Sequence, residues 1–136
     1  MLTPDRAIID ANLEFYEAFA NGDVAAMASV WSYSHPISCI HPGWQILRGR
    51  DQVMSSWRAI LGNAGAPLIR CSDAEVVVID QVAIVTCIEH VDDGQLVATN
   101  TFAFEDGFYK LVHHQAGAYA VRPLPGEWSP PPDSLN

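Results

Sequence analysis

Residues 68–119 decide the fold of this chain and read LIRCSDAEVVVIDQVAIVTCIEHVDDGQLVATNTFAFEDGFYKLVHHQAGAY. Apolar residues recur at about every second position, which is the period of a strand with one buried face. The pattern predicts four strands, over residues 68–80, 82–91, 96–105 and 108–119. Short links rich in Asp and Gly join consecutive strands, so the sheet is predicted to be an antiparallel meander.

The residues before this stretch show the spacing of helices instead. A first helix is predicted to begin at Pro4 and end at Gly22, a short second one follows Asp23, and a third covers residues 51–61. Between the last two, residues 36–41 alternate like a short strand. Helices followed by a meander indicate an α+β fold, with three N-terminal helices on the concave face of a curved antiparallel sheet. Three helices cover that face only in part, which leaves room for a cavity.

The bulk composition excludes several classes of function. The 136 residues, 49% of them hydrophobic, suit one domain, predicted over residues 1–122, with an extended or disordered Pro-rich tail over 123–136. Sixteen acidic against seven basic residues give a net charge of −9, which argues against nucleic-acid binding and anionic membranes. No signal sequence or membrane span is apparent, and the three dispersed cysteines are expected to be small buried side chains. We therefore expect a cytoplasmic protein.

One candidate for chemistry lies in the short strand and the turn that follows it. Alternation places His41 on the same side as Ile37 and Cys39, facing apolar surroundings. Burial disfavours the charged form of a histidine, so His41 is expected to be neutral and able to accept a proton. The alternative is a core histidine satisfied by a backbone carbonyl. Trp44, just after the turn, is either a pocket wall or a lid on the core.

Further candidates lie in the meander. Asn100, Phe102 and Phe104 share one face of the third strand, and the two aromatic rings mark that face as buried. A buried amide must be hydrogen-bonded, so Asn100 either ties down a neighbouring strand or awaits a ligand oxygen. In the last strand, His114 is assigned to the cavity and its neighbour to the opposite face. Glu89 either faces inward or is a solvated acid of the outer face, and the outer face is the favoured interpretation.

Other site chemistries lack support in the sequence. The histidines and cysteines do not have the clustered spacing of a zinc site. The chain has no dinucleotide-binding glycine motif, no P-loop and no Gly-x-Ser-x-Gly motif. We therefore expect neither a metal nor an organic cofactor.

Three segments resemble the nuclear-transport-factor-like superfamily and, within it, the SnoaL-like branch. Residues 15–23, FYEAFANGD, are similar to the first-helix signature of the superfamily. Residues 41–57, which begin HPGW and end SW, and residues 106–114, DGFYKLVHH, are similar to segments of SnoaL-like proteins. The resemblance extends over residues 5–120 and implies a cone-shaped α+β fold. It does not single out one activity, because the superfamily includes isomerases, cyclases, dehydratases and assembly domains.

The resemblance also implies roles for individual residues. His41 falls where ketosteroid isomerases carry their catalytic Asp, just before the same proline, and Asn100 where they carry the protonated Asp of the oxyanion hole. Asn100 also matches an arginine position in the association domain of calmodulin-dependent kinases. The tyrosine donor of the isomerases is replaced by Phe15, with Tyr16 on the wrong phase of the helix. Efficient steroid isomerisation is therefore not expected, whereas a slower proton transfer with His41 as base and Asn100 as donor is compatible with these residues.

These observations favour a pocket protein that binds a small organic molecule and catalyses a proton transfer of the isomerase, cyclase or dehydratase type. His41 and Asn100 are the predicted catalytic residues. The predicted ligand contacts are Phe15, Tyr33, Trp44, Trp57, Phe102, Phe104 and His114. The alternative is a non-enzymatic ligand-binding or dimeric assembly domain. We also expect a homodimer packed sheet to sheet, because apolar residues such as Leu111 are in register with His113 on the outer face.

Overall fold

The computed structural model describes residues 4–62, 68–92 and 94–120. Its elements follow in the order α1 (Pro4–Ala20), α2 (Val24–Val30), β1 (Ser38–Ile40), β2 (Leu47–Arg48), α3 (Gly49–Leu61), β3 (Ile69–Ile79), β4 (Val82–Val91), β5 (Gly94–Glu105) and β6 (Phe108–Gly117). Within the described ranges, no helix is long and apolar enough to cross a membrane. The predicted Pro-rich tail, residues 123–136, lies outside the described residues.

The six strands form one sheet in the order β2-β1-β6-β5-β4-β3. The predicted antiparallel meander is confirmed, since β3 pairs with β4, β4 with β5, and β5 with β6. The α+β fold, three helices with a curved sheet, is confirmed with it. β1 adds to the edge of β6 in parallel, with Cys39 opposite His114. Alternation predicted the strand but not this partner, because a parallel partner is remote in sequence and is fixed only by tertiary packing.

The hairpin between β5 and β6 shows how local sequence shapes the sheet. Asp106 and Gly107 both have positive φ, 51° and 88°. This is the backbone of a two-residue type I′ turn, whose twist matches that of the paired strands. The two strands run back from this turn so that Asn100 lies opposite His114, which prepares the site described below.

One irregularity in the β5–β6 pair changes which residues face inward. Thr101 pairs with His113 whereas Phe102 pairs with Leu111, so Val112 is an extra residue on β6. Leu111 consequently points into the core and is fully buried, instead of sharing a face with His113. The expectation that Leu111 belongs to the outer face is wrong, because simple alternation does not continue across a bulge.

The core lies between the helices and the sheet. Rings from α1 and α3 meet there edge to face, with centroid distances of 5.5 Å between Phe15 and Trp57 and 4.9 Å between Phe19 and Trp57. Phe15 and Trp57 are fully buried. Such pairs add to the free energy gained by burying the rings, and they fix the two helices to each other above the sheet.

Candidate functional site

A cavity of about 210 Å³ lies between the helices and the sheet. Three titratable side chains, His41, Glu89 and His114, line it, and they are only 3%, 2% and 1% exposed. The rest of the wall is mainly apolar and includes Phe19 and Trp44. A concave, largely apolar space with a few converging polar groups has the general character of a small-molecule site.

His41 follows β1 directly and reaches the cavity between two tryptophans, its ring centroid 4.9 Å from Trp44 and 4.8 Å from Trp57. Its Nε2 lies 2.9 Å from Ser56 Oγ, and that hydroxyl donates its own proton to the Val53 carbonyl at 2.7 Å. Because the hydroxyl proton is already used, Nε2 must carry the ring proton and Nδ1 keeps a lone pair. Burial lowers the pKa of His41 to about 4, so the ring is a neutral base at physiological pH.

His114 is held from the neighbouring strand by Asn100, whose Oδ1 lies 2.6 Å from His114 Nδ1. The Asn100 amide nitrogen donates to Asn12 Oδ1 at 2.9 Å and to the Tyr16 hydroxyl at 3.0 Å. Both amide protons are thus used, the amide oxygen accepts, and His114 Nδ1 must donate. Asn100 is therefore saturated by protein partners, whereas His114 keeps a lone pair on Nε2. Burial lowers the pKa of His114 to about 3.

Glu89 completes this network, although the sequence did not assign it to the cavity. The Tyr16 hydroxyl donates to Glu89 Oε2 at 2.7 Å, and His114 Nε2 lies 3.9 Å from the same oxygen. Glu89 lies on the inward face of β4 with Val85 and Cys87, so the favoured interpretation as an outer-face acid is wrong and the inward alternative holds. Burial raises the pKa of Glu89 to about 6, although the hydrogen bond from Tyr16 opposes this shift.

Tyr16 also occupies a different place from the one the sequence suggested. It is only 4% exposed, and its phenol lies between Asn100 and Glu89. The buried face of α1 is wide, so the adjacent Phe15 and Tyr16 both point into the domain. The spacing of Asn12 and Tyr16, one turn apart on the same face, is the signal that could have revealed this position. Burial raises the pKa of Tyr16 well above its usual range, so the phenol stays protonated.

The raised pKa of Glu89 predicts a pH-dependent stability that Glu89→Gln removes. The folded protein keeps this proton up to about pH 6, whereas the usual value of 4.5 applies to the unfolded chain. Between these values the folded state binds more protons, so the stability of the wild type falls as pH rises through this window. Relative to the wild type, Glu89→Gln is expected to gain roughly 2 kcal/mol of unfolding free energy between about pH 4 and about pH 8. Urea denaturation at both pH values measures this change, with Glu75→Gln at an exposed position of β3 as the control. If the difference in unfolding free energy between Glu89→Gln and the wild type is the same at both pH values, the predicted effect of Glu89 ionisation on stability is wrong.

The predicted aromatic contacts divide between the cavity and the rest of the molecule. Trp44 stands at the cavity rim, 46% exposed. Phe15 and Trp57 pack behind the cavity against His114, at centroid distances of 4.9 Å and 6.0 Å. Phe102 is fully buried in the core.

Phe104 and Tyr33 lie away from this cavity. Phe104 and Leu96 lie near opposite ends of β5. At the rise per residue of a β-strand they are about 25 Å apart. There it borders a separate groove of about 570 Å³, between α1 and the β5–β6 hairpin. Tyr33 follows α2 in a surface loop, is 68% exposed, and stacks on the Arg50 guanidinium 3.6 Å from its ring centroid.

Proton transfer is the chemistry that this arrangement offers. His41 and His114 are neutral imidazoles whose ring centroids lie 6.3 Å apart. Glu89 changes charge near pH 6, so it can hold or release a proton under physiological conditions. In the part of the chain that the structure describes, no group of three or more His, Cys, Asp or Glu is arranged to hold a metal ion.

Comparison with known families places these residues inside a recognised domain. The family model described as a SnoaL-like domain matches residues 8–120, which include all six strands and the three cavity groups. The chain belongs to the SnoaL-like family. The expected resemblance to this branch is thereby confirmed.

This SnoaL-like domain is similar to solved structures of NTF2-like proteins. It is 31% identical to a candidate dehydratase of the NTF2-like family from Streptomyces avermitilis, with a TM-score of 0.80, covering 88% of this chain and 100% of that one. It is 26% identical to a candidate association domain of calcium/calmodulin-dependent protein kinase type II from Thiobacillus denitrificans, with a TM-score of 0.74, covering 87% and 96%.

A curated plant protein also matches the SnoaL-like domain. The identity to F-box protein SKIP8 from Arabidopsis thaliana is 28% over 118 residues, which is 85% of this chain and 51% of that protein. The chain therefore spans about half the length of the curated relative that it matches.

Proposed function

We propose that this SnoaL-like domain binds a small organic molecule in the 210 Å³ cavity and catalyses transfer of a proton on it. The observation that carries the proposal is the convergence of His41, Glu89 and His114 on one largely apolar cavity from three separated parts of the chain. Polar groups that are buried without full pairing cost about 1–3 kcal/mol each, which favours a use for them. The volume corresponds to roughly seven water molecules at liquid density, enough for a molecule of a few carbon atoms.

His41 is the proposed base. Its lone pair on Nδ1 is available at any pH above about 4, because burial keeps the ring neutral. Negative charge that develops on a bound molecule raises the pKa of the ring as the proton moves, so the base strengthens during the transfer. His114 and Glu89 supply polar contacts on the facing strands. Asn100 is a positioning residue, since it acts through His114 rather than on the ligand.

The relative from Streptomyces avermitilis supports an elimination as one form of this chemistry. That protein is described as a candidate dehydratase and shares 31% identity with this chain. Loss of water from a hydroxy carbonyl compound needs one group to remove a proton and another to protonate the leaving hydroxyl. His41 and Glu89 can divide these two roles, because Glu89 retains a proton up to about pH 6.

The binding test uses acetoin, a small hydroxy ketone, titrated into the protein and followed by NMR. Leu96 lines the cavity, so Leu96→Phe fills it and is expected to weaken binding at least about tenfold. Val97→Phe is the matched control, because Val97 is the next residue of β5 and is 42% exposed on the opposite face. Saturable binding that survives in Val97→Phe and is lost in Leu96→Phe supports the proposal. Absence of saturable binding to the wild type, or equal loss in both variants, sinks it.

A homodimer is proposed alongside, through the outer face of the sheet. That face carries the apolar side chains of Val77, Ile79 and Val97, which are 56%, 55% and 42% exposed. Apolar exposure of this kind suits the association of two copies of one chain. The association-domain relative, at 26% identity, also makes assembly a second candidate function.

Light scattering at micromolar concentration is expected to give twice the chain mass of 14.9 kDa. The double variant Val77→Glu, Val97→Glu is expected to give a folded monomer, because two buried carboxylates in such an interface would be unpaired. A wild-type mass of 14.9 kDa under these conditions would disprove the dimer.

A further inference from the structure

The hydrogen bonds around the cavity determine which kind of ligand head group it can hold. Each imidazole N–H is already donated to a protein oxygen, that of His41 to Ser56 and that of His114 to Asn100. The phenolic O–H of Tyr16 is likewise donated, to Glu89. The network therefore uses up the ring protons of His41 and His114 and the hydroxyl proton of Tyr16.

What remains on the three cavity side chains is a set of acceptors. His114 Nε2 lies 3.9 Å from Glu89 Oε2, beyond hydrogen-bond range. The Cys39 thiol lies nearer to His41 Nε2, at 3.6 Å, than to Nδ1, at 4.0 Å, so it makes at most a long, weak contact with the Nδ1 lone pair. Among the described residues, Glu89 Oε1 has no hydrogen-bond partner. The two ring nitrogens and the carboxylate oxygen can all accept a hydrogen bond, and none can donate one while Glu89 is ionised.

The charge of the cavity acts in the same direction. As far as the structure describes its lining, the wall includes no Lys or Arg to neutralise an anion. A ligand carboxylate would therefore lie beside Glu89 in an apolar space, and burying two like charges is costly. Two buried N–H groups have no partner among the described residues, those of Trp31 and Trp57. The Trp57 ring packs behind the cavity against Phe15 and Phe19.

We propose that the cavity selects small molecules whose head group donates hydrogen bonds, an alcohol or an amine, over carbonyl compounds that only accept and over carboxylates. The proposal deepens the proposed function and rests on it. The donor group of the ligand lies between Glu89 and His114, and its apolar part packs on Phe19 and Leu96. In a hydroxy ketone such as acetoin, the C–H bond next to the carbonyl then faces His41; its Nδ1 accepts the proton while the C–H electron pair moves into an enolate.

The first arm of the test compares ligands of one shape on the unmodified protein. Cyclopentanol, cyclopentylamine, cyclopentanone and cyclopentanecarboxylate share the same ring and differ in their head group. The titrations are done at about pH 7.5, where Glu89 is ionised because its pKa is about 6. The alcohol and the amine are expected to bind at least about tenfold more tightly than the ketone, because a head group that only accepts leaves the acceptor atoms of Glu89 and His114 without a hydrogen bond. The carboxylate is expected to bind more weakly than the ketone.

The second arm reverses the preference with one substitution. Glu89→Gln places an amide N–H donor in the cavity, so affinity for the ketone is expected to rise while affinity for the amine falls at least about tenfold. Glu75→Gln, at an exposed position of β3, is the matched control and should leave the ranking unchanged. The ranking of ligands on the wild type does not depend on whether the variant folds.

The outcomes separate this inference from the proposed function. If the wild type binds the ketone as tightly as the alcohol and the amine, or more tightly, the donor preference is overturned. The cavity is then still a binding site. Failure of all four ring compounds and of acetoin to bind overturns the proposed function as well. A Glu89→Gln protein that is folded, as judged by a cooperative thermal transition, and keeps the wild-type ranking also overturns the donor preference.

Discussion

Replacing His41 with alanine is expected to slow the deuterium exchange of the acetoin C–H next to its carbonyl by about 10²- to 10⁴-fold, the usual contribution of a positioned base. The lone pair of His41 Nδ1 accepts that proton in the proposed mechanism. The exchange is followed by the loss of the proton signal in deuterated water. The fold should persist, because Ser56 donates to the Val53 carbonyl with or without the histidine ring, so no donor is left unpaired.

The control for this experiment is another histidine of the same sheet. His113 lies on the opposite face from His114 and contacts Ser38, 2.7 Å away, so His113→Ala should exchange acetoin at the wild-type rate. Equal rates for His41→Ala and the wild type would remove His41 from the mechanism. An equal loss in both histidine variants would point to a general effect on the fold instead.

Replacing Asn100 with leucine is expected to cost on the order of 3–5 kcal/mol of unfolding free energy. The amide makes three hydrogen bonds to oxygen and nitrogen partners, on Asn12, Tyr16 and His114, and a long contact of 4.0 Å to the Cys87 thiol; all of these residues are buried. Leucine removes all three, which leaves the His114 N–H and the Asn12 carbonyl oxygen unpaired, at about 1–3 kcal/mol for each orphaned group. Urea denaturation of the two proteins measures the difference.

Thr101→Val is the matched control for this position. Thr101 is the next residue of β5, on the face of His113, and its substitution should change the unfolding free energy by less than about 0.5 kcal/mol. A loss below about 1 kcal/mol for Asn100→Leu would mean that Asn100 is not the buried, fully paired residue described above. The binding of acetoin to the folded fraction of Asn100→Leu should also weaken, because His114 loses the partner that fixes its ring.

The sheet was predictable from the sequence because its pattern is local. Alternation and turn residues identify each strand. The links between consecutive strands are too short for a parallel crossover, so the strands must form an antiparallel meander. The parallel addition of β1 to β6 and the bulge at Val112 were not predictable in this way. Both depend on contacts between residues remote in sequence, which no local period records.

The site was predictable in part, for a related reason. His41 and His114 were assigned to the cavity from the side chains that share their faces, and the structure brings both to it. Glu89 was missed because both faces of β4 are apolar, so the alternation of Val85 and Cys87 with Ile84 and Ile88 does not tell inside from outside. Asn100 could be recognised as buried, but only the structure shows that its atoms are all paired within the protein.

The protonation of the two cavity histidines underlies both proposals, and nitrogen NMR of the imidazole rings measures it directly. Between about pH 5.5 and about pH 8, both rings are expected to stay neutral, because burial places their pKa values at about 4 for His41 and about 3 for His114. His41 should carry its proton on Nε2 and His114 on Nδ1, as their bonds to Ser56 and Asn100 require. Opposite tautomers, or a ring that becomes protonated near pH 6.5 as an exposed histidine does, would contradict the acceptor-lined cavity and the role of His41 as its base.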